Sequence, residues 1–176
     1  MINVAIISAM TVSVLGPSTD VLTFFNSVVY LLEGGDRGSK FPGVTDRLYC
    51  RSIDLNEISE VRGELSNLNL IFSGISVEDV DLSNFGFVES GTWLLLSGST
   101  LSDVFSKLFI KFHEALECAE IFYKEFKDYS PVRIGFSDAP FYISDINRPS
   151  ADYDALSLDD LPFWLRCPPG SDLPGQ

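Results

Sequence analysis

The one histidine of the chain, His113, is the first residue to consider for catalytic chemistry. His113-Glu114 matches the start of the His-Glu-x-x-His motif of zinc proteases, in which two histidines one helical turn apart hold the metal ion. Position 117 carries Glu, so the second ligand is missing. The sequence therefore predicts that His113 lies on the flank of a helix, and that the protein holds neither a metal ion nor another cofactor.

A nucleophile with its supporting groups is equally hard to assemble. Neither Ser90-Gly91 nor Ser97-Gly98-Ser99 provides the Gly-x-Ser-x-Gly turn that exposes a catalytic serine. A cysteine nucleophile needs a base beside it. A pair formed by Cys118 and His113 on adjacent helical turns stays open as an alternative, although the sequence places no Asn or Asp to orient the histidine.

The glycine-containing string from Gly34 to Lys40 is the one stretch that suggests a phosphate-binding loop. It reads Gly-Gly-Asp-Arg-Gly-Ser-Lys, which lacks the Gly-Lys-Ser/Thr order of such loops. It also follows a predicted helix, whereas a phosphate-binding loop follows a strand. The sequence therefore favours a flexible turn here.

Carboxylates are abundant and are densest at Glu78-Asp79-Val80-Asp81 and at Asp159-Asp160. Acid–base catalysis needs one carboxylate in a shielded pocket, whereas these lie in polar segments that are predicted to be exposed. They fit either a solvated surface or a docking patch for a basic partner. The candidate partner-binding residues are Glu78, Asp79, Asp81, Glu89, Asp152, Asp154, Asp159, Asp160 and Trp164.

The charge balance limits the classes of partner. The chain has 25 acidic and 12 basic residues, for a formal net charge of -13. Such a surface repels nucleic-acid phosphates and anionic lipid headgroups, so we expect neither nucleic acid nor membrane as a partner. It attracts cationic proteins and speeds their encounter. Solubility alone is the alternative explanation of the acidity.

Several features indicate a protein of the cytoplasm. The start, Met1-Ile2-Asn3-Val4-Ala5, lacks the positive region of a signal peptide. No apolar run approaches the roughly 20 residues that span a bilayer. Cys50, Cys118 and Cys167 are far apart and odd in number, which fits a reducing compartment better than a disulfide framework.

The elements that must position these residues are read from hydrophobic periodicity and helix caps. The 176 residues, 45% of them hydrophobic and 14 of them Phe, suffice for one domain with an aromatic core. The sequence first predicts one strand or a tight strand pair over Val4–Leu15, then a helix capped by Ser18 or Thr19 and ended by Gly34-Gly35, and then a helical turn over Val44–Cys50. A second helix is predicted from a capping box at Asp54 and Glu57 to Leu68, followed by a short strand over Leu70–Phe72, an irregular acidic segment over 74–91 and a buried strand over Thr92–Leu96. A third helix, capped by Thr100 and Asp103, is predicted to run to Leu116, followed by a hairpin of Ile121–Phe126 with Val132–Phe136.

The fold class predicted from these elements is α+β, with two main helices packed on a small, mostly antiparallel sheet. Glu57, Glu60 and Glu64 are expected to form a solvated acidic stripe on the second helix. Residues 1–137 would form the domain, and residues 138–176 a proline-rich acidic C-terminal tail, partly packed on it. Within this tail, Trp164 is either a latch onto the protein's own core, which we favour, or an aromatic anchor in an interface.

One stretch resembles the immunity protein 70 family of bacterial polymorphic toxin systems. The similarity rests on Phe24–Glu33 (Phe-Phe-Asn-Ser-Val-Val-Tyr-Leu-Leu-Glu), then Gly38–Pro42 (Gly-Ser-Lys-Phe-Pro), Leu48-Tyr49, Glu57 and Glu64-Leu65. It covers mainly residues 13–65 and is looser through the helix near residue 116. Residues 74–91 lack the Trp- and Pro-rich stretch usual in the family, and the tail after residue 137 resembles an addition.

The resemblance implies an α+β domain that binds and neutralises a toxin encoded beside it, often a nuclease, without catalytic residues of its own. The predicted function is therefore a non-enzymatic immunity protein that occludes a basic toxin surface. Two alternatives stay open: an interaction or scaffold domain unrelated to toxins, and a small hydrolase that uses His113 or a carboxylate pair.

Overall fold

The structure is a computed structural model that describes residues 2–8, 11–137 and 161–165. Its strands and main helices are, in chain order, β1 (Asn3–Ser8), β2 (Thr11–Pro17), α1 (Ser18–Leu32), α2 (Ile58–Phe72), α3 (Leu101–Val104), α4 (Ser106–Phe126) and β3 (Arg133–Phe136). Short helical turns lie at Gly43–Leu48, Val77–Asp79, Leu82–Phe85 and Phe163–Leu165. The predicted α+β class is confirmed, with three long helices in the described part of the chain.

The sheet is antiparallel and has the strand order β2-β1-β3. The apolar stretch over Val4–Leu15 is the predicted strand pair, with Ile6 opposite Ser13 and a register shift after Val4. On its other side β1 pairs with β3, with Ile6 opposite Ile134. The central position of β1, whose residues from Val4 onward are buried, explains its apolar run Val4–Ile7.

The predicted hairpin partner of β3 is wrong. Residues Ile121–Phe126 form the last turns of α4 instead of a strand, and β3 pairs with β1. The alternation of apolar and polar residues also fits a helix here, because Phe122 and Phe126 fall four residues apart and their rings lie 4.8 Å from each other. The helix ends at Lys127, whose φ of 57° is left-handed.

Helix α1 is buried over most of its circumference. It begins at Ser18, whose backbone N–H donates to the carbonyl of Ile2, and no side chain caps it, although Ser18 or Thr19 was predicted to do so. It ends as predicted at the glycine pair, where the N–H of Gly35 donates to the carbonyl of Val29 at 3.0 Å.

Helix α2 begins and ends later than predicted. Glu57 accepts a hydrogen bond from the N–H of Asp54, as the capping box requires, but the helix starts at Ile58. It continues to Phe72, so the predicted strand over Leu70–Phe72 is wrong. Leu68 and Phe72, four residues apart, are fully buried while Leu70 is 72% exposed, which is a helical pattern of burial.

The region before α4 is partly as predicted. Thr100 and Asp103 form the predicted reciprocal capping box at the start of α3. The helix is interrupted at Phe105, so the predicted single helix is divided into α3 and α4. The predicted buried strand over Thr92–Leu96 is wrong, because these residues are irregular and three of their apolar side chains are exposed.

Aromatic rings fill the core between the helices. The ring of Phe24 lies between 5.2 and 5.5 Å from the rings of four other phenylalanines. These neighbours are Phe25, Phe105, Phe109 and Phe112. Most of the contacts are edge-to-face, an arrangement worth about 0.5–1.5 kcal/mol per pair beyond area burial. This cluster accounts for five of the 14 phenylalanines, and its rings come from α1, from α4 and from Phe105 at the junction of α3 and α4.

Candidate partner-binding surface

The loop after α1 closes around the carboxylate of Glu33, which is buried. One carboxylate oxygen accepts from the backbone N–H groups of Lys40 at 3.0 Å and Phe41 at 2.9 Å, and the other accepts from that of Gly38 at 3.2 Å. The hydroxyl of Thr45 lies 3.1 Å from the first oxygen. The N–H groups that would cradle a phosphate are therefore bound by the protein's own carboxylate.

A second carboxylate, that of Glu64 on α2, binds the next part of the same loop. Its two oxygens accept from the N–H groups of Gly43 at 3.1 Å and Val44 at 2.9 Å. Burial raises the pKa of Glu64, and these two hydrogen bonds oppose the rise. A Cβ at Gly43 would approach Glu64 and Val61 to 3.0 Å, so glycine permits this close approach.

The prediction of a solvated stripe is wrong for Glu64, which is half-buried in this contact, because the loop packs on that side of α2. Glu57 is also partly buried and lies 3.1 Å from Arg47 in an ion pair, whereas Glu60 is exposed. The Gly-Ser-Lys-Phe-Pro string thus has a structural role: Glu33 fixes its backbone, and Phe41 is buried. Glu64 fixes the two residues that follow the string.

Trp164, one of the candidate partner-binding residues, lies in the core. Its indole is 2% exposed, and its N–H donates to the carbonyl of Tyr49 at 2.8 Å. Its ring lies 5.7 Å from that of Tyr49 and 6.2 Å from that of Phe25. This position corresponds to the latch, because aromatic side chains surround the indole and its N–H is hydrogen-bonded to a buried carbonyl.

The acidic segment after α2 holds only two short helical turns, Val77–Asp79 and Leu82–Phe85, and its acidic side chains are exposed as predicted. Glu78, Asp79, Asp81 and Glu89 all lie at the surface. Asp81 accepts hydrogen bonds from the N–H and the hydroxyl of Ser83, and these hold its pKa below its ordinary value of 3.8, so it is charged at neutral pH. The four other acidic candidates, Asp152, Asp154, Asp159 and Asp160, lie outside the described residues.

The segment continues along α1. Phe85 stacks on Tyr30, with the rings 6.0 Å apart, and its carbonyl accepts from the side chain of Asn26 at 3.0 Å. Further along, Trp93 lies beside Asp20 in the first turn of α1. Since six residues of helix separate Asn26 from Asp20, Phe85 contacts α1 about 9 Å further along the helix axis than Trp93 does.

Trp93 is a surface residue that the sequence analysis placed in a buried strand. The buried carboxylate of Asp20 accepts from the N–H of Trp93 at 2.7 Å and from the hydroxyl of Thr92 at 2.9 Å. Burial raises the pKa of Asp20, and these hydrogen bonds oppose the rise. The indole packs against Gly16, where a Cβ would come within 2.9 Å of the ring and where φ is +123°.

His113 and Cys118 lie five residues apart on α4, and no hydrogen bond joins their side chains. His113 is partly buried and lines a groove of about 450 Å³ with residues of α2, α3 and α4. Burial, followed by the charge of Arg62, lowers its pKa below 6.5. The thiol of Cys118 lies 3.3 Å from the hydroxyl of Thr11. Within the described residues no cluster of His, Cys, Asp and Glu could hold a metal ion.

Residues 5–86 match the family model described as immunity protein 70. The match confirms the resemblance predicted over residues 13–65 and extends it to the stretch from β1 to the turn at Leu82–Phe85. The looser similarity predicted through the helix near residue 116 lies beyond the matched residues. Comparison with curated proteins and with solved structures gave no significant match. In the part of the chain that the structure describes, no helix has the length and apolar character needed to cross a membrane.

Proposed function

We propose, from the match of residues 5–86 to immunity protein 70, that this protein is an immunity protein that binds and neutralises a cognate bacterial toxin. The match is the observation that carries the proposal, since it includes the motif residues that the structure shows to organise the domain. The partner is then a protein, the toxin, which such a protein must meet in the cytoplasm if the toxin acts there.

The toxin's chemistry follows from charge complementarity. A net charge of -13 favours a toxin with a basic surface, such as a nuclease whose cleft binds phosphates. Acidic side chains of the immunity protein would take the place of those phosphates and occlude the active site. Neutralisation by occlusion needs no catalytic group on the inhibitor.

The arrangement of the shielded carboxylates supports a non-enzymatic role. The carboxylates of Asp20, Glu33 and Glu64 all accept hydrogen bonds from backbone N–H groups. Their oxygens therefore hold loops of the protein in place. A general base needs a carboxylate with a free lone pair facing a substrate. The exposed carboxylates from Glu78 to Glu89 suit docking better than catalysis.

We infer the same division of the chain that the sequence suggests, with an immunity-like domain over residues 1–137 and an acidic extension over residues 138–176. Trp164 supports an extension that is anchored on the domain, since its indole occupies the core beside Tyr49.

Co-expression with the C-terminal domain of the protein encoded by the neighbouring gene tests the function. We expect the toxin domain to arrest growth alone, growth to recover when this protein is present, and the two to elute together from a sizing column. A toxin domain from an unrelated system serves as the specificity control. Failure of both rescue and complex formation would sink the immunity function, and a complex without rescue would favour the scaffold alternative.

A further inference from the structure

We propose that Trp93, with its neighbours Leu95 and Leu96, is the apolar anchor through which this protein docks onto its toxin, in a pocket of the toxin ringed by Lys and Arg. This inference rests on the proposed function and adds to it the surface that carries binding and the chemistry of the partner's surface.

The first argument is exposure. Trp93 is 47% exposed, Leu95 40% and Leu96 41%, within four consecutive residues. Single exposed apolar residues are ordinary, but several together mark interaction sites. Tryptophan is also the residue type most enriched among those whose removal weakens protein–protein binding most.

The second argument is that this exposed tryptophan is held in place. The carboxylate of Asp20 fixes the backbone of Trp93 and the hydroxyl of Thr92, and that hydroxyl accepts from the N–H of Leu94 at 3.1 Å. One face of the indole rests on Gly16. A side chain ordered before binding loses little conformational entropy when the partner arrives, which favours affinity.

The third argument, charge, selects the occupant. The sequence contains no Lys or Arg between Arg62 and Lys107. The same stretch carries Glu64, Glu78, Asp79, Asp81, Glu89 and Asp103. Glu89 lies one turn before Trp93, since the N–H of Thr92 donates to the carbonyl of Glu89 at 3.4 Å. Asp81 caps the turn Leu82–Phe85, and Phe85 contacts α1 only about 9 Å along the helix axis from the contact of Trp93. Both carboxylates therefore fit one interface of standard size around Trp93, about 800 Å² per partner. They would form its polar rim and face basic side chains.

Charge also argues against other occupants of this surface. A second copy of a chain with a net charge of -13 would bring like charges together at an acidic rim. An anionic membrane or a nucleic acid would be repelled in the same way. A protein with a basic surface satisfies both the apolar centre and the acidic rim.

The test is the affinity of the full chain for the C-terminal domain of the neighbouring gene's product. We expect Trp93→Ala to raise the Kd at least about 30-fold, the range that defines a dominant interface residue. Leu70→Ala is the matched control: Leu70 is more exposed than Trp93 but lies on α2, and we expect its Kd to equal that of the unaltered protein.

A spectroscopic readout keeps the test independent of any folding defect in the variant. The chain has two tryptophans, so 5-fluorotryptophan labelling of the unaltered protein gives two ¹⁹F resonances. On addition of unlabelled toxin domain, the Trp93 resonance should shift while that of the buried Trp164 stays in place. Substitution of each tryptophan by Phe assigns the two signals.

The outcomes separate the two proposals. Wild-type affinity in Trp93→Ala, or a shift confined to the Trp164 resonance, would overturn the anchor while immunity stands. A free protein that dimerises through Trp93, with toxin affinity unchanged in Trp93→Ala, would show that a second copy occupies the surface and would also overturn it. Absence of binding between the unaltered protein and the toxin domain would instead contradict the proposed immunity function.

Discussion

The carboxylates of this protein divide into two groups that the residue type alone does not distinguish. Asp20, Glu33 and Glu64 are turned inward and bind backbone N–H groups of the loops packed around α1 and α2. Those from Glu78 to Glu89 point outward and define an acidic surface. The first group stabilises the domain, whereas the second is available to a partner.

Replacing Glu33 by Gln tests the role of the buried group. The amide of Gln has one acceptor oxygen and would place an NH₂ group against a backbone donor that now binds a carboxylate oxygen. We expect Glu33→Gln to lower the free energy of unfolding by about 2 kcal/mol, the range for losing charged hydrogen bonds. Urea denaturation measures it, and Glu60→Gln on the exposed side of α2 is the control. An unchanged midpoint in both would contradict the proposed role.

Because burial raises the pKa of Asp20, we expect the free energy of unfolding to depend on pH, with a sign that follows from the raised pKa. A carboxyl that is more readily protonated in the folded state than in the unfolded state contributes stability that is fully present below its unfolded value, near 3.8, and is lost as pH rises through the folded pKa. Asp20→Asn removes this titration. We therefore expect the unfolding free energy of the unaltered protein, measured relative to Asp20→Asn by denaturation from pH 4 to 7, to fall with rising pH. A difference that rises with pH would show that hydrogen bonding to the charged form outweighs burial.

At the scale of elements, the sequence predicted those whose signals are local. Three such elements depend only on residues close in sequence: the strand pair over Val4–Leu15, the glycine end of α1 and the capping box at Thr100. Two predicted strands are wrong, since the short apolar run 70–72 and the alternating segment 121–126 each fit a strand or a helix end equally well. Packing against the rest of the chain decides between the two, and periodicity over so few residues does not.

The contacts that organise the candidate surface could not be predicted from the sequence for a similar reason. Asp20 meets Trp93 across 73 residues of chain, and Glu64 meets Val44 across 20. Each contact depends on how the helices pack, which no local pattern encodes. The acidic residues of the surface were found because charge density is visible in sequence. Trp93 was missed because an apolar run was interpreted as buried.

Comparing the two tryptophans tests how much the turn Phe163–Leu165 stabilises the domain by placing Trp164 in the core. Trp164→Ala empties a fully enclosed site in the aromatic core, so we expect it to lower the free energy of unfolding by about 3–5 kcal/mol. Trp93→Ala is the same substitution at a half-exposed site and should cost much less. Urea denaturation of both variants makes the comparison. A Trp164→Ala protein with unchanged stability but weakened toxin binding would place Trp164 in the interface instead of the core.

The whole molecule combines a scaffold matched to immunity protein 70 over residues 5–86 with a strongly negative charge. The motif residues of the immunity protein 70 resemblance lie on α1, on α2 and in the segment between these helices, all within this scaffold. The charge acts at longer range than any contact, since electrostatic attraction guides a basic partner before the surfaces meet.

This long-range attraction predicts that association with the toxin depends on salt. The Debye length falls from about 10 Å at 0.1 M to about 3 Å at 1 M ionic strength, so the association rate should drop markedly over that range while the dissociation rate changes little. The double variant Glu78→Gln/Asp79→Asn should associate several-fold more slowly at low salt and resemble the unaltered protein at high salt. Glu117→Gln/Glu125→Gln removes the same two charges from exposed positions of α4, and an equal slowing there would assign steering to net charge instead of the acidic segment. Stopped-flow mixing at several salt concentrations measures these rates. An association rate indifferent to salt would count against mimicry of phosphates by acidic residues, while the immunity function and the apolar anchor at Trp93 would both remain possible.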